Sequence, residues 1–120
     1  MPHFLQQLDA FTLATTISGV MSLDDLRAIQ AASREVIERE GRMRALVILR
    51  DYRGFQAGAD WGDIGFAAEY GDRIERMAIV GDVRWEAEAL AFTGKGARRT
   101  DIEYFPLAEF SAAQAWLNRP

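Results

Sequence analysis

Hydrophobic positions along this chain change their period several times, and each change predicts an element. Phe4-Leu5-Gln6-Gln7-Leu8 predicts a short strand, closed by a turn at Asp9-Ala10. From Phe11 to Ser18 the residues alternate, with Phe11, Leu13, Thr15 and Ile17 on one face, the mark of a half-buried strand. The two pair as an N-terminal hairpin. A helical period then runs through Leu23, Leu26, Ile29, Ser33, Val36 and Ile37, predicting a helix over about 22–40. Ser22 supplies its cap, Asp24 and Asp25 favour its first turn, and Gly41 supplies a left-handed stop.

Downstream the pattern turns from alternation to solid apolar runs. Ala45-Leu46-Val47-Ile48-Leu49 and Met77-Ala78-Ile79-Val80 read as strands buried on both faces, as in a parallel sheet covered by helices. Ile102, Tyr104 and Phe105 form a further strand ending at Pro106. Helical stretches are predicted over about 61–70, 83–92 and 111–118, the last with Ser111 and Gln114 at capping-box spacing. The order β-β-α-β-α-β-α-β-α predicts one layered α/β domain over residues 1–120, with a mixed, mostly parallel sheet and right-handed crossovers. Strand order and oligomeric state stay open.

Composition narrows the function classes. The 120 residues contain no Cys, which removes disulfides, thiolate zinc sites and cysteine nucleophiles and fits a reducing compartment. The N-terminus lacks a basic segment followed by an apolar one, and no apolar run approaches a membrane span, so the expected location is cytoplasmic. A net charge of -4, with thirteen Arg and one Lys scattered among acids, argues against a nucleic-acid partner.

Catalytic chemistry is hard to assemble from these residues. The single His3 sits near the terminus, where fraying is expected, and none of the four serines lies in a nucleophile elbow. Gly94-Lys95-Gly96 neither follows an apolar strand nor opens a helix, so it is a poor phosphate cradle. The expectation is a non-catalytic binding module with no cofactor and no metal. An enzyme built on Asp51, Asp82 and Tyr52 is the contrary reading.

Candidate binding residues cluster in two places. Asp51 and Asp82 follow two apolar strands, where ligands of open α/β sheets bind, and either suits a polar anchor. The more ordinary explanation, and the favoured one, is that Asp82 caps the next helix and Asp51 helps a turn. The segment from Asp60 to Gly71 places Trp61, Ile64 and Ala68 on one helical face and Phe66 with Tyr70 on nearly the opposite one. Gly62 and Gly65 weaken such a helix by ~1 kcal/mol each relative to Ala. A soft helix, apolar on two sides, suits a mobile lid over an apolar ligand, with Phe55 and Trp85 as further walls. The same faces also suit ordinary core packing, a homodimer or a protein partner. Membrane docking is disfavoured by the three acids and no base between Phe55 and Tyr70.

Several segments together resemble a known family. These are Ile17-Ser18-Gly19 with Leu23-Asp24-Asp25-Leu26, Ala45 to Leu49 with Asp51 and Gly54-Phe55, Arg76 to Asp82 with Trp85, Glu103-Tyr104-Phe105, and Ala115-Trp116-Leu117. They are similar to the SpoIIAA-like family, whose fold resembles STAS domains and the CRAL-TRIO lipid-binding fold. The resemblance implies a four- or five-stranded mixed sheet with helices, and binding of an apolar, lipid-like ligand or association with a membrane. STAS-type antagonists carry a phosphorylatable Ser in the loop after the central strand. Here that stretch reads Asp51-Tyr52-Arg53-Gly54-Phe55, and a phosphoserine switch has nothing to act on.

Overall fold

The computed structural model describes residues 3–56, 70–93, 95–96 and 99–119. Strands β1 (His3–Asp9) and β2 (Thr12–Met21) form the expected hairpin, and helix α1 (Leu23–Glu40) leads into β3 (Met43–Phe55). Strand β4 (Ile74–Gly81), helix α2 (Glu86–Thr93), strand β5 (Asp101–Pro106) and helix α3 (Phe110–Leu117) follow. The sheet order is β1-β2-β3-β4-β5, with β1 antiparallel to β2 and every other pair parallel. The helix expected over about 61–70 lies outside the described residues except for Tyr70, its last residue.

The start of α1 is over-determined. The Ser22 hydroxyl accepts from the Asp25 N–H at 3.1 Å, while the Asp25 carboxylate accepts from the Ser22 N–H at 2.8 Å, a reciprocal capping box. His3 joins it, with Nδ1 2.6 Å from Asp25 Oδ1, so the first strand is tied to the helix rather than frayed. Burial alone would raise the Asp25 pKa. The hydrogen bonds from Ser22 and the contact with His3 outweigh it and hold the carboxyl below its ordinary value. At the other end Gly41 adopts φ 83 and its N–H reaches the Ile37 carbonyl at 2.7 Å.

Each sheet face has its own cover. Leu13 and Ala45 on one face meet Val36 and Ile37 of α1, together with Met43, Tyr70 and Ile74. On the opposite face Ala14, Leu46, Ile48, Ala78 and Val80 pack against Ala113 and Leu117 of α3. Burying one such Leu or Ile contributes about 1.5–3 kcal/mol. The C-terminal carbonyls of α3 are satisfied from the sheet, by Arg44 to Leu117 at 2.7 Å and Arg76 to Trp116 at 3.0 Å. These arginines therefore serve as helix caps. The capping box expected at Ser111 and Gln114 does not form: α3 starts one residue earlier, after a 3-10 turn over Leu107–Glu109, so Ser111 lies inside the helix.

Among the described residues, one buried side-chain polar atom is orphaned. Thr12 is almost fully buried, and its hydroxyl has no hydrogen-bond partner. Thr12→Val keeps the β-branched shape and removes the stranded oxygen. It is expected to stabilise the domain by about 1 kcal/mol in chemical denaturation. A loss of stability would show that the hydroxyl has a partner, such as a bound water.

Candidate functional site

The pairing of β2 with β3 sets up the most distinctive feature of the molecule. Ile17 pairs with Leu49, Gly19 with Tyr52 and Met21 with Phe55, so two steps along β2 twice span three along β3. Each mismatch is a β-bulge, and each bulge rotates the following side chain to the other face. The backbone accommodates them at Asp51, with φ 53, and at Gly54, with φ 101. Strict alternation would separate Leu49 from Tyr52 and Tyr52 from Phe55. With two bulges, all three turn toward the face covered by α1 and α2.

There they line a cavity of about 140 Å³ that is partly open to solvent. Its floor includes Thr15, Val47 and Ile79, which lie side by side across three strands, and Met77 below them. Leu26 and Ile29 of α1 form one wall, while Ala89 and Phe92 of α2 form the other. The Phe55 and Phe92 rings, both in the lining, pack with their centroids 5.2 Å apart. The physical sign of the gap is Val47. It sits at the centre of the central strand, on a helix-covered face, yet it is only half-buried. Met77 beside it is half-buried too. Interiors ordinarily leave few voids larger than a water molecule. A hole of this size is comparable to an apolar cavity that stays dry and takes up benzene.

Two tyrosines of the described residues, Tyr52 and Tyr104, are perturbed upward by the fold. Burial pushes the Tyr52 phenol up to about 12, helped by the charge of Glu88 and by Tyr104. Burial likewise pushes Tyr104 up to about 12, with Asp82 and Glu86 adding to it. Both stay neutral through the physiological range and act as O–H groups. Tyr104 donates to the Asp82 carbonyl at 2.6 Å.

The residues singled out from sequence are distributed unevenly around this cavity. Phe55 lines it directly. Trp85 backs it, with its ring edge-on to Tyr52 at 5.0 Å and its six-membered ring lying beside Gly54. Asp51 occupies the first bulge with its side chain exposed, outside the lining. Asp82 is exposed and accepts from the Arg84 N–H at 2.9 Å, capping the 3-10 turn over Val83–Trp85. Tyr70 is buried in the α1 cluster, away from the cavity, and its hydroxyl donates to Glu38 at 2.8 Å. Trp61 and Phe66 lie outside the described residues. Among the described residues no cluster of His, Asp and Glu has metal-binding geometry, and no helix is long and apolar enough to cross a membrane.

Sequence reasoning missed Thr15, Leu26, Ile29, Val47 and Met77 as cavity residues, because each fits the core pattern of its own element. Tyr52 carried a usable signal. Leu49, Tyr52 and Phe55 recur every third residue, and the strand-breaking Asp51 and Gly54 stand between them.

A family model described as SpoIIAA-like matches residues 12–118. No curated protein matches the chain. Among solved structures, similarity extends to the crystal structure of an uncharacterized protein from the DUF3478 family, with a SpoIIAA-like fold, from Shewanella loihica PV-4. It is 18% identical, with 96% of this chain and 93% of that chain covered and a TM-score of 0.73. At that identity the likeness speaks for the fold alone.

Proposed function

Because this chain belongs to the SpoIIAA-like family, we propose that it is a non-catalytic binding module that takes a compact apolar ligand between α1 and α2. The half-buried Val47, facing an apolar hole from the middle of the sheet, is the observation that supports this reading. A central strand residue left uncovered loses the burial that stabilises every neighbour around it. A ligand that fills the space restores that contact and stabilises the folded state by mass action. Pre-formed, mostly apolar concavities with a few polar groups are what small-molecule sites are made of.

Native mass spectrometry of protein taken directly from lysate tests the proposal. The expected spectrum shows the chain with an extra small mass that denaturation removes. A bare chain mass, unchanged when benzene is supplied, would contradict it.

A second reading, association with another protein or a second copy, has one observation in its favour. Phe4 on β1 and Val20 on β2 are 63% and 49% exposed. By strand alternation both point to the face away from α1. Light scattering across a concentration series tests the second copy, and a strict monomer would contradict self-association through this face.

A further inference from the structure

The two edges of the sheet are finished differently, and the difference points to a contact that does not depend on the cavity. A sheet edge exposes a row of unpaired N–H and C=O groups, which proteins blunt with charges, proline or a covering side chain. β5 has all three. Asp101, Glu103 and Pro106 lie along it. The Lys95 ammonium donates to the Ile102 carbonyl and lies 3.6 Å from Glu103. β1 has none of them over Phe4-Leu5-Gln6-Gln7-Leu8, which carries neither charge nor proline. Among the described residues its only strand neighbour is β2.

The stretch available for pairing is short and well anchored. The register with β2 shifts between Gln7 and Asp9, so the regular part of β1 is His3–Gln7. His3 fixes its start through Asp25 of α1. Gln7 is drawn toward the hairpin turn, its amide donating to the Asp9 and Ala10 carbonyls at 2.7 and 3.2 Å. Phe4 and Gln6 share the face away from α1 and are both exposed. The helix on that face, α3, packs mainly on β3, β4 and β5 and leaves this side of the sheet bare.

Two copies of such a sheet can join edge to edge in two ways. β1 against β5 repeats head to tail into an open chain, and the blunted β5 edge opposes it. β1 against β1 about a twofold axis closes on itself and uses the unblunted edge twice. With Leu5 on the axis, Phe4 lies opposite Gln6 of the second copy and the two Phe4 rings are diagonal neighbours, within aromatic reach. No like charges meet, since His3–Gln7 holds no Asp, Glu, Lys or Arg.

We propose that β1 pairs antiparallel with β1 of a second copy about a twofold axis at Leu5, joining two five-stranded sheets into one continuous sheet. The contact gives the self-association reading its geometry. Strands this short fall well below the roughly 20–30 residues a side of a stable interface, so the dimer is weak and concentration-dependent.

Sedimentation of the full chain from about 10 µM to about 1 mM, with amide NMR over the same range, tests it. The expected result is a rise toward dimer mass, with concentration-dependent shifts at His3–Gln7 and none at Asp101–Phe105. Phe4→Lys sets two ammonium groups where the rings meet, at a position outside the core clusters. It is expected to weaken association about tenfold at an unchanged melting temperature. The chain has no cysteine, so Leu5→Cys reports the axis directly: oxidation is expected to link two copies. Val83→Cys, at a position 69% exposed but off this edge, is expected to stay unlinked. A strict monomer at about 1 mM, shifts on β5 in place of β1, or equal cross-linking at positions 5 and 83 would overturn the pairing. Each of those results would leave the cavity reading untouched.

Discussion

Replacing Val47 with Phe is expected to abolish uptake of benzene-sized ligands while leaving the domain folded, within about 1 kcal/mol of the parent. In a close-packed core such a change forces side chains off their rotamers and costs about 1–3 kcal/mol. Val47 is different, because its side chain faces a cavity of about 140 Å³ and is itself half-buried. The added ring fills space that is already open, and its new apolar contacts offset whatever strain remains. The control lies one residue away. Leu46 points to the opposite face, is 1% exposed, and packs under α3. Leu46→Phe is expected to lose about 2–3 kcal/mol in chemical denaturation. Equal losses at 46 and 47 would mean that the two faces are packed alike and that no usable space exists.

Gly81→Ala is expected to be among the most damaging single-methyl additions in the chain, with a loss of about 2–3 kcal/mol and a melting temperature about 10 °C lower. A Cβ at this position would lie 2.6 Å from the Tyr104 hydroxyl and 3.0 Å from Leu49 Cβ. Leu49 is fixed in the middle of the sheet, so it gives little. Tyr104 is held by its 2.6 Å hydrogen bond to the Asp82 carbonyl, and displacing it breaks that bond. The clash also falls at the end of β4, where Leu49 forms part of the cavity floor. Pairing Gly81→Ala with Tyr104→Phe removes the nearest obstructing atom. The double variant is expected to recover part of the loss, and a thermodynamic cycle measures the coupling. Strictly additive losses would show that the hydroxyl is not the obstacle.

How much of this could be read beforehand varies with the kind of evidence. The helix at 23–40 was fully legible, because Ser22, Asp25 and Gly41 are local signals that act within one turn. The apolar runs at 45–49 and 77–80 correctly implied strands covered on both faces, and they lie at adjacent positions in the sheet. What stayed hidden was the length of β3. It continues to Phe55 through two bulges, and the reading stopped at Leu49 because Asp51 and Gly54 look like turn residues in isolation. Those same residues bring Tyr52 and Phe55 into the cavity. Capping was legible only where the helix start was unambiguous: Asp82 caps its turn as read, whereas the box expected at Ser111 failed when the helix began earlier. The cavity itself had no local signature. Leu26, Val47 and Met77 are ordinary core residues by pattern, and only the spacing of α1 and α2 over the sheet leaves room between them.

The most direct test is a pair of thermal melts, wild type and Val47→Phe, each with and without benzene. If benzene enters this cavity, tenfold excess over its Kd stabilises the wild type by about 1.4 kcal/mol, or about 5 °C, and leaves Val47→Phe unmoved. A wild type that does not respond, or a variant that responds as strongly, would contradict the account.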